Sequence, residues 1–159
     1  YKRQLIYGGF RKFMVNANYK PLKLRAEDDN DLEILSKCLF EAICFDNEMT
    51  YMKDKNIFLL SVERFTWESC DGRDEDLLQV LCIIQIHNID SFVVENILNK
   101  QSKGLHSLIS IAYDKNILLL TFDNKASIRF NLKGLKLYIE DIGKPIKPAI
   151  VPVRIKGEK

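Results

Sequence analysis

The feature that most constrains the fold is a change in the spacing of apolar residues along the chain. Between residues 29 and 44 they recur at the three-to-four-residue spacing of a helix, whereas from residue 49 onward they recur at every second residue. Ile128, Phe130 and Leu132, for example, alternate with polar residues. One helix among many alternating strands predicts an α+β domain built on a mainly antiparallel sheet.

The predicted helix, residues 29–44, begins in a run of hydrogen-bond acceptors that spans residues 27–31. Aspartate and asparagine side chains accept the free backbone N–H groups of a first helical turn, and negative charge there complements the helix dipole. Asn30 and Glu33 have the spacing of a capping box. A cation site or an acid–base pair is the alternative role for these carboxylates, and capping is the favoured one.

The predicted strands are joined by short polar turns. They cover residues 22–26, 49–53, 57–67, 78–87, 105–113, 117–122, 127–132 and 135–139. Residues 89–104 fit an irregular segment with a short helix, and residues 135–142 fit a helical turn as well as a strand. We expect six to eight strands in a strongly bent or partly closed, barrel-like sheet, with the helix over one open face or end. A barrel that resembles a pleckstrin-homology domain is one arrangement that fits.

One short segment of the strand region occurs twice with nearly the same sequence, and we call this near-repeat the echo. Residues 54–60, Asp-Lys-Asn-Ile-Phe-Leu-Leu, nearly repeat as residues 114–120, Asp-Lys-Asn-Ile-Leu-Leu-Leu. A duplicated half-domain explains the echo, and so do two hairpins that converged on the same turn chemistry.

The formal net charge of +2 averages two basic ends and an acidic middle. Residues 22–142 hold 21 acidic and 14 basic residues, a net charge of −7. The ends hold ten basic residues, namely Lys2, Arg3, Arg11, Lys12, Lys20, Lys144, Lys147, Arg154, Lys156 and Lys159, against Glu158 alone. We therefore expect a basic, flexible N-terminal extension over residues 1–20, one folded domain over 21–143 and a flexible basic tail with prolines over 144–159.

This charge division bears on the expected partners. An acidic folded part lacks the basic face that neutralises phosphates, so nucleic acid is an unexpected partner for it. The N-terminal basic residues are interleaved with aromatic residues, a pattern that fits contact with RNA or with an acidic membrane surface, a targeting peptide, or a solvated end. No apolar run approaches the roughly 20 residues of a membrane-spanning helix, so no membrane insertion is expected.

Cysteine and histidine residues are few and lack the spacing of a known chemistry. They are Cys38, Cys44, Cys70, Cys82, His87 and His106. Two of the thiols lie on apolar stripes, a third ends the helix and the fourth lies in an acidic loop that would raise its pKa. The acidic loop itself, residues 71–76, lacks the length and the final glutamate of a calcium loop. We predict free thiols in a reducing compartment, no catalytic residue, no metal site and no cofactor.

The remaining candidate segment is Arg64-Phe65-Thr66-Trp67-Glu68 at the end of a predicted strand. Alternation would place Phe65 and Trp67 on the core face, and Arg64, Thr66 and Glu68 on the other face. On that face Arg64 and Glu68 would bind a partner or pair with each other, and the pairing is favoured.

Several segments together resemble an alphaproteobacterial family of uncharacterised proteins, domain-of-unknown-function family 2948. The residues that carry the resemblance lie in 21–28, 49–52, 64–68, 127–132 and 140–143, within a similar region of about 20–146. The chain departs from the family's pattern at Thr66, where the family usually has aspartate. The resemblance implies a bacterial cytoplasmic protein and supplies no catalytic residue or ligand.

Two classes of function stay open from the sequence. The favoured one is a non-catalytic protein-interaction or accessory module of the bacterial cytoplasm, which would hold a protein partner at the sheet edge or on the surface of Arg64 and Glu68. The alternative is a small ligand-binding protein or enzyme with a site near Arg64 and Glu68. In either case the candidate binding residues are Arg64, Trp67, Glu68 and Asp141.

Overall fold

The computed structural model describes residues 19–69, 76–97 and 104–148. The elements are β1 (Lys23–Ala26), α1 (Asp29–Cys38), β2 (Ile43–Met52), β3 (Ile57–Phe65), a 3-10 turn (Trp67–Ser69), β4 (Gln79–Ile86), β5 (Ile89–Glu95), β6 (Leu105–Asp114), β7 (Ile117–Phe122), β8 (Ser127–Leu132) and β9 (Leu137–Asp141). Residues 1–18 and 149–159, which hold most of the predicted basic extension and tail, lie outside the described residues.

The nine strands form one antiparallel sheet in the order β1-β9-β4-β3-β2-β6-β7-β8-β5. This confirms a mainly antiparallel sheet accompanied by one α-helix in the described part of the chain. The sheet stays unclosed, with β1 and β5 at its edges, and the predicted resemblance to pleckstrin-homology domains stays a prediction.

The predicted count of six to eight strands is wrong, because residues 89–95 form β5 rather than an irregular segment with a short helix. Phe92 and Val94 of β5 lie opposite Phe130 and Ile128 of β8. These cross-strand contacts decide the conformation of a segment in which the alternation of apolar residues is weak.

The sheet bends so far that distant strands pack face to face. The ring of Phe58 on β3 meets the ring of Phe92 on β5 with centroids 5.2 Å apart, although four strands separate β3 from β5 in the sheet order. Phe130 on β8 lies at the same distance from Phe58. The inward side chains of both halves therefore share one core.

Apart from edge strand β1, which has no counterpart, the strand order is symmetric about the β2–β6 pair. Strands β3 and β4 follow β2 on one side, and β7 and β8 follow β6 on the other. The next strand on each side comes from the other set of four consecutive strands (β2–β5 or β6–β9), since β9 pairs with β4 and β5 pairs with β8. The echo residues 54–60 and 114–120 occupy equivalent hairpins. Both explanations of this echo, duplication of a four-strand unit and convergent turn chemistry, stay predictions.

Helix α1 is shorter than the predicted 29–44 and is capped differently. Asp28 is the N-cap, and its carboxylate accepts the backbone N–H of Asp31 at 2.8 Å, while the Asp31 carboxylate accepts the N–H of Glu27 at 3.1 Å. The predicted Asn30–Glu33 capping box is therefore wrong, although capping by the acidic cluster is confirmed.

The helix ends early because the chain turns into the sheet. Glu41 has a positive φ of 65°, and Ile43 already pairs with Glu63 of β3 and with Ser107 of β6. Leu39 and Ala42 are buried as predicted, but in the turn after the helix, whereas Phe40 is 46% exposed and Ile43 is only partly buried. Nowhere in residues 19–69, 76–97 or 104–148 is a helix long and apolar enough to cross a membrane.

Candidate functional site

Arg64 lies on the buried face of β3. The inward side chains of this strand include Phe58, Leu60 and Val62, and Arg64 occupies the next inward position with 0% exposure. Phe65 points the other way into a smaller apolar cluster with Leu77. The predicted placement of Arg64 on the face away from the core is wrong, because both faces of the sheet are covered where β3 ends.

The buried guanidinium forms a bidentate ion pair with Asp141 at the end of β9. Arg64 Nε donates to Asp141 Oδ1 at 2.7 Å, and Arg64 Nη2 donates to Asp141 Oδ2 at 2.8 Å. Neither side chain has any exposed surface. Two charges that are buried together in this geometry compensate each other's loss of hydration, which neither could do alone.

Glu68 provides a second carboxylate for the same guanidinium. The 3-10 turn after β3 brings the Glu68 side chain back toward Arg64. Arg64 Nη1 donates to Glu68 Oε1 at 3.0 Å, and Arg64 Nη2 donates to Glu68 Oε2 at 2.9 Å. Arg64 Nη1 also donates to the carbonyl oxygen of Phe65 at 3.0 Å. All five N–H groups of Arg64 therefore have an acceptor within the fold. The favoured prediction that Arg64 pairs with Glu68 is confirmed.

Asp141 also forms hydrogen bonds with two residues at the start of the described chain. Its Oδ2 accepts the hydroxyl of Tyr19 and the backbone N–H of Leu22, each at 2.9 Å. Burial by itself raises the pKa of Asp141, but the hydrogen bonds from Arg64 and Leu22 outweigh it and hold that pKa below its ordinary value. Burial and the bond to Asp141 raise the pKa of Tyr19, so its hydroxyl remains protonated.

The two middle residues of the segment have structural contacts of their own. Thr66, where the chain departs from the family's pattern, is fully buried, and its Oγ1 accepts the backbone N–H of Leu78 at 2.9 Å. Trp67 Nε1 donates to the carbonyl oxygen of Phe40, just beyond α1, at 2.7 Å, and the two rings lie 6.2 Å apart. Residue 66 must therefore offer an acceptor, and Trp67 joins the helix end to the sheet.

Replacing Thr66 with valine should lower the free energy of unfolding by about 1–3 kcal/mol, because the buried N–H of Leu78 would lose its side-chain acceptor at nearly unchanged volume. Urea denaturation would measure the loss. Thr66→Ser keeps the hydroxyl and is the control, for which we expect a clearly smaller loss. Equal losses for the two variants would contradict the assigned hydrogen bond.

The buried thiols have the environment of core residues. Burial, and then nearby carboxylates, raise the pKa of both Cys44 and Cys82 to about 12, so that neither is a thiolate near neutral pH. Cys70 and most of the acidic loop lie outside the described residues. Within the described ranges, no group of three or more His, Cys, Asp or Glu side chains is placed to hold a metal ion.

His106 lies opposite Cys44 across the β2–β6 pair and is fully buried. Its Nε2 lies 3.0 Å from the carbonyl oxygen of Ile97, which requires that this nitrogen carry the proton and donate. Among the residues that the structure describes, none forms a hydrogen bond with its Nδ1.

The structure brings all four predicted binding residues, Arg64, Trp67, Glu68 and Asp141, to one end of the sheet. The first, third and fourth share one hydrogen-bonded network, and Trp67 follows Thr66 beside it. Sequence reasoning missed Tyr19, because an isolated tyrosine before a strand carries no pattern. It also missed the exposed side chain of Phe40, because the helix was predicted to continue beyond this residue to residue 44.

The comparisons with known proteins give a family without an assigned activity. No curated protein and no solved structure matches the chain. Residues 22–154 match the model of a family described as "Protein of unknown function (DUF2948)". The match takes in Arg64, Glu68 and Asp141, and it spans most of the chain. The protein therefore belongs to domain-of-unknown-function family 2948.

Proposed function

We propose that this domain is a non-catalytic protein-interaction module of the bacterial cytoplasm, and that it binds its partner where the Arg64 network reaches the surface. The observation that carries the proposal is the network's charge. Arg64 contributes one positive charge, while Asp141 and Glu68 contribute two negative charges, so one negative charge is left over.

Only one of the three ionised groups of the network is exposed to solvent. The side chains of Arg64 and Asp141 are fully buried, whereas the side chain of Glu68 is 30% exposed. A partner would therefore meet the Glu68 carboxylate, held in a fixed position by two hydrogen bonds from Arg64. A lysine or arginine of the partner is the complementary group.

Aromatic rings lie beside this carboxylate. Phe40 is 46% exposed, and its ring packs against the partly exposed ring of Trp67, which adjoins Glu68 in the 3-10 turn. We call Phe40, Trp67 and Glu68 the aromatic–acidic surface. Exposed aromatic rings next to an oriented charge are typical of the residues that dominate binding energy in protein interfaces.

The alternative, a small-ligand or enzyme site at Arg64 and Glu68, has less support. A guanidinium that binds an anionic ligand must offer N–H groups to it, and here each of the five already has an acceptor in the fold. A ligand would have to displace Asp141 or Glu68. The displaced carboxylate would then lose its compensating charge.

A photo-crosslinking experiment tests the proposal. A benzophenone amino acid is placed at position 40 or, as the matched control, at position 93, since Val93 is a similarly exposed apolar residue on edge strand β5. We expect position 40 to yield a discrete crosslinked protein in the native cell and position 93 to yield none of it.

The captured partner is then purified and its affinity measured directly. Phe40→Ser should weaken binding by roughly tenfold or more, and Val93→Ser should leave it unchanged. Circular dichroism verifies that both variants remain folded. Undiminished binding by Phe40→Ser, or the same crosslinks from both positions, would refute the aromatic–acidic surface as the binding site.

A further inference from the structure

The face of β3, β4 and β9 that points away from the main core carries exposed aliphatic side chains. Leu81 of β4 is exposed, and its carbonyl oxygen accepts the backbone N–H of the exposed Ile142, just after β9, at 2.9 Å. Ile146 is exposed as well and pairs with Gln79, two residues before Leu81 on β4. We call Leu81, Ile142 and Ile146 the outer patch. A contiguous group of exposed aliphatic side chains marks an interaction surface, whereas isolated ones need no explanation.

Glu63 of β3 lies beside the outer patch. It is directly opposite Leu81 of β4 on one side and Ile43 of β2 on the other, and residues that are directly opposite in a sheet share a face. Apolar side chains therefore flank this half-buried carboxylate on both sides. Within the described ranges, no group forms a hydrogen bond or an ion pair with it. Burial raises the pKa of Glu63 above its ordinary value, as expected of a carboxylate that has lost hydration without gaining a counter-charge.

The backbone pairing of the sheet limits which structural element can cover the outer patch. Strands β3, β4 and β9 each have a hydrogen-bonded neighbour on both sides, so their backbone N–H and C=O groups are already paired and a partner strand cannot be added to them. A molecule that covers this face must bind through side chains. An α-helix is the element that packs in this way on the face of a sheet.

The charge of Glu63 limits what such a helix must carry. A second copy of this chain would present the same patch across a two-fold axis and bring two Glu63 carboxylates together, which is unfavourable at a desolvated contact. The anionic headgroups of a membrane would meet the same repulsion. A lysine is suited to the site, because its aliphatic stem packs on apolar surface while its ammonium group reaches a carboxylate.

We propose that the outer patch and Glu63 bind an amphipathic helix of a partner protein that carries a lysine within its apolar face. The aliphatic residues of the helix would cover the outer patch. The lysine ammonium would donate to Glu63 and supply the counter-charge that the described part of the fold does not provide. None of these residues belongs to the aromatic–acidic surface, so the proposal does not depend on the partner of that surface.

Three synthetic peptides test the proposal with the full chain. Each has about 18 residues, or about five helical turns, with leucine on one face and neutral polar residues on the other. The peptides differ only at the centre of the leucine face, which holds lysine, glutamine or glutamate. Fluorescence anisotropy of the labelled peptides measures their affinities. We expect one lysine peptide per chain, bound roughly tenfold more tightly than the glutamine peptide, and weakest binding by the glutamate peptide.

Two pairs of variants locate the site. Glu63→Gln should abolish the preference for lysine, whereas Glu95→Gln, at an exposed position on edge strand β5, should keep it. Leu81→Ser should weaken the binding of the lysine and glutamine peptides by roughly fivefold or more. Ile117→Ser on β7 is its matched control, because the two side chains are 37% and 39% exposed, and it should leave binding unchanged. Circular dichroism verifies that all four variants remain folded.

Equal affinities for the lysine and glutamine peptides, or a preference for lysine that survives in Glu63→Gln, would overturn the pairing with Glu63. Absence of binding up to about 1 mM peptide, or equal losses in Leu81→Ser and Ile117→Ser, would overturn the outer patch as the docking surface. Sedimentation equilibrium of the chain alone should give the monomer mass of 18.5 kDa. A dimer that Leu81→Ser dissociates would assign the outer patch to a second copy and overturn the partner helix.

Discussion

Replacing Arg64 with methionine should lower the free energy of unfolding by about 3–5 kcal/mol. Methionine fills much of the same volume but leaves the buried Asp141 carboxylate without a compensating charge and removes five hydrogen bonds. Urea denaturation at neutral pH, with the slope m compared between proteins, would measure the loss.

An exposed arginine provides the matched control for this prediction. Arg25 forms an ion pair with Glu27 in which the side chains are 59% and 49% exposed, so Arg25→Met should cost less than about 1 kcal/mol. A second variant, Arg64→Met with Asp141→Leu, should recover part of the stability because it also removes the uncompensated charge. A loss below about 1 kcal/mol for Arg64→Met would show that the network contributes little.

Replacing Asp141 with asparagine should lower the free energy of unfolding by about 2–4 kcal/mol at pH 7. The amide keeps the shape of the carboxylate, but it offers Arg64 only one acceptor oxygen and no negative charge. The cost should depend on pH. Arg64 and Leu22 hold the pKa of Asp141 below its ordinary value of 3.8, so the unfolded chain takes up this proton first as the pH falls.

The sign of this pH dependence follows from the lowered pKa. The stability that Asp141 contributes is complete above about pH 5, where the group is ionised in both states, and it is lost as the pH falls through the folded-state pKa. The difference between the unchanged chain and Asp141→Asn should therefore shrink below about pH 5. Asp90→Asn, at an exposed position on β5, is the control. A difference that stays constant from pH 7 to pH 3 would contradict the ion pair.

Local patterns in the sequence were sufficient for most of the strands and for the helix start. The polar turns on either side predicted β7, a nearly continuous apolar run, with the bounds it has. Strict alternation predicted β8 with its bounds, because a strand with one buried face repeats every second residue. The pattern failed where tertiary contacts overrode it. The helix stops at Cys38 because residues from Ile43 onward pair with two neighbouring strands, and β5 forms because Phe92 and Val94 meet β8.

The sequence by itself determined the antiparallel α+β class, the capped helix and the division between an acidic domain and basic ends, since all three are properties of neighbouring residues. It also singled out Arg64, Trp67, Glu68 and Asp141. Only the tertiary structure decided that Arg64 is buried and that Asp141, 77 residues away, neutralises it. The alternation of apolar and polar residues indicates which residues share a face of a strand. Which face is covered depends on the bend of the sheet and on contacts between residues far apart in the chain.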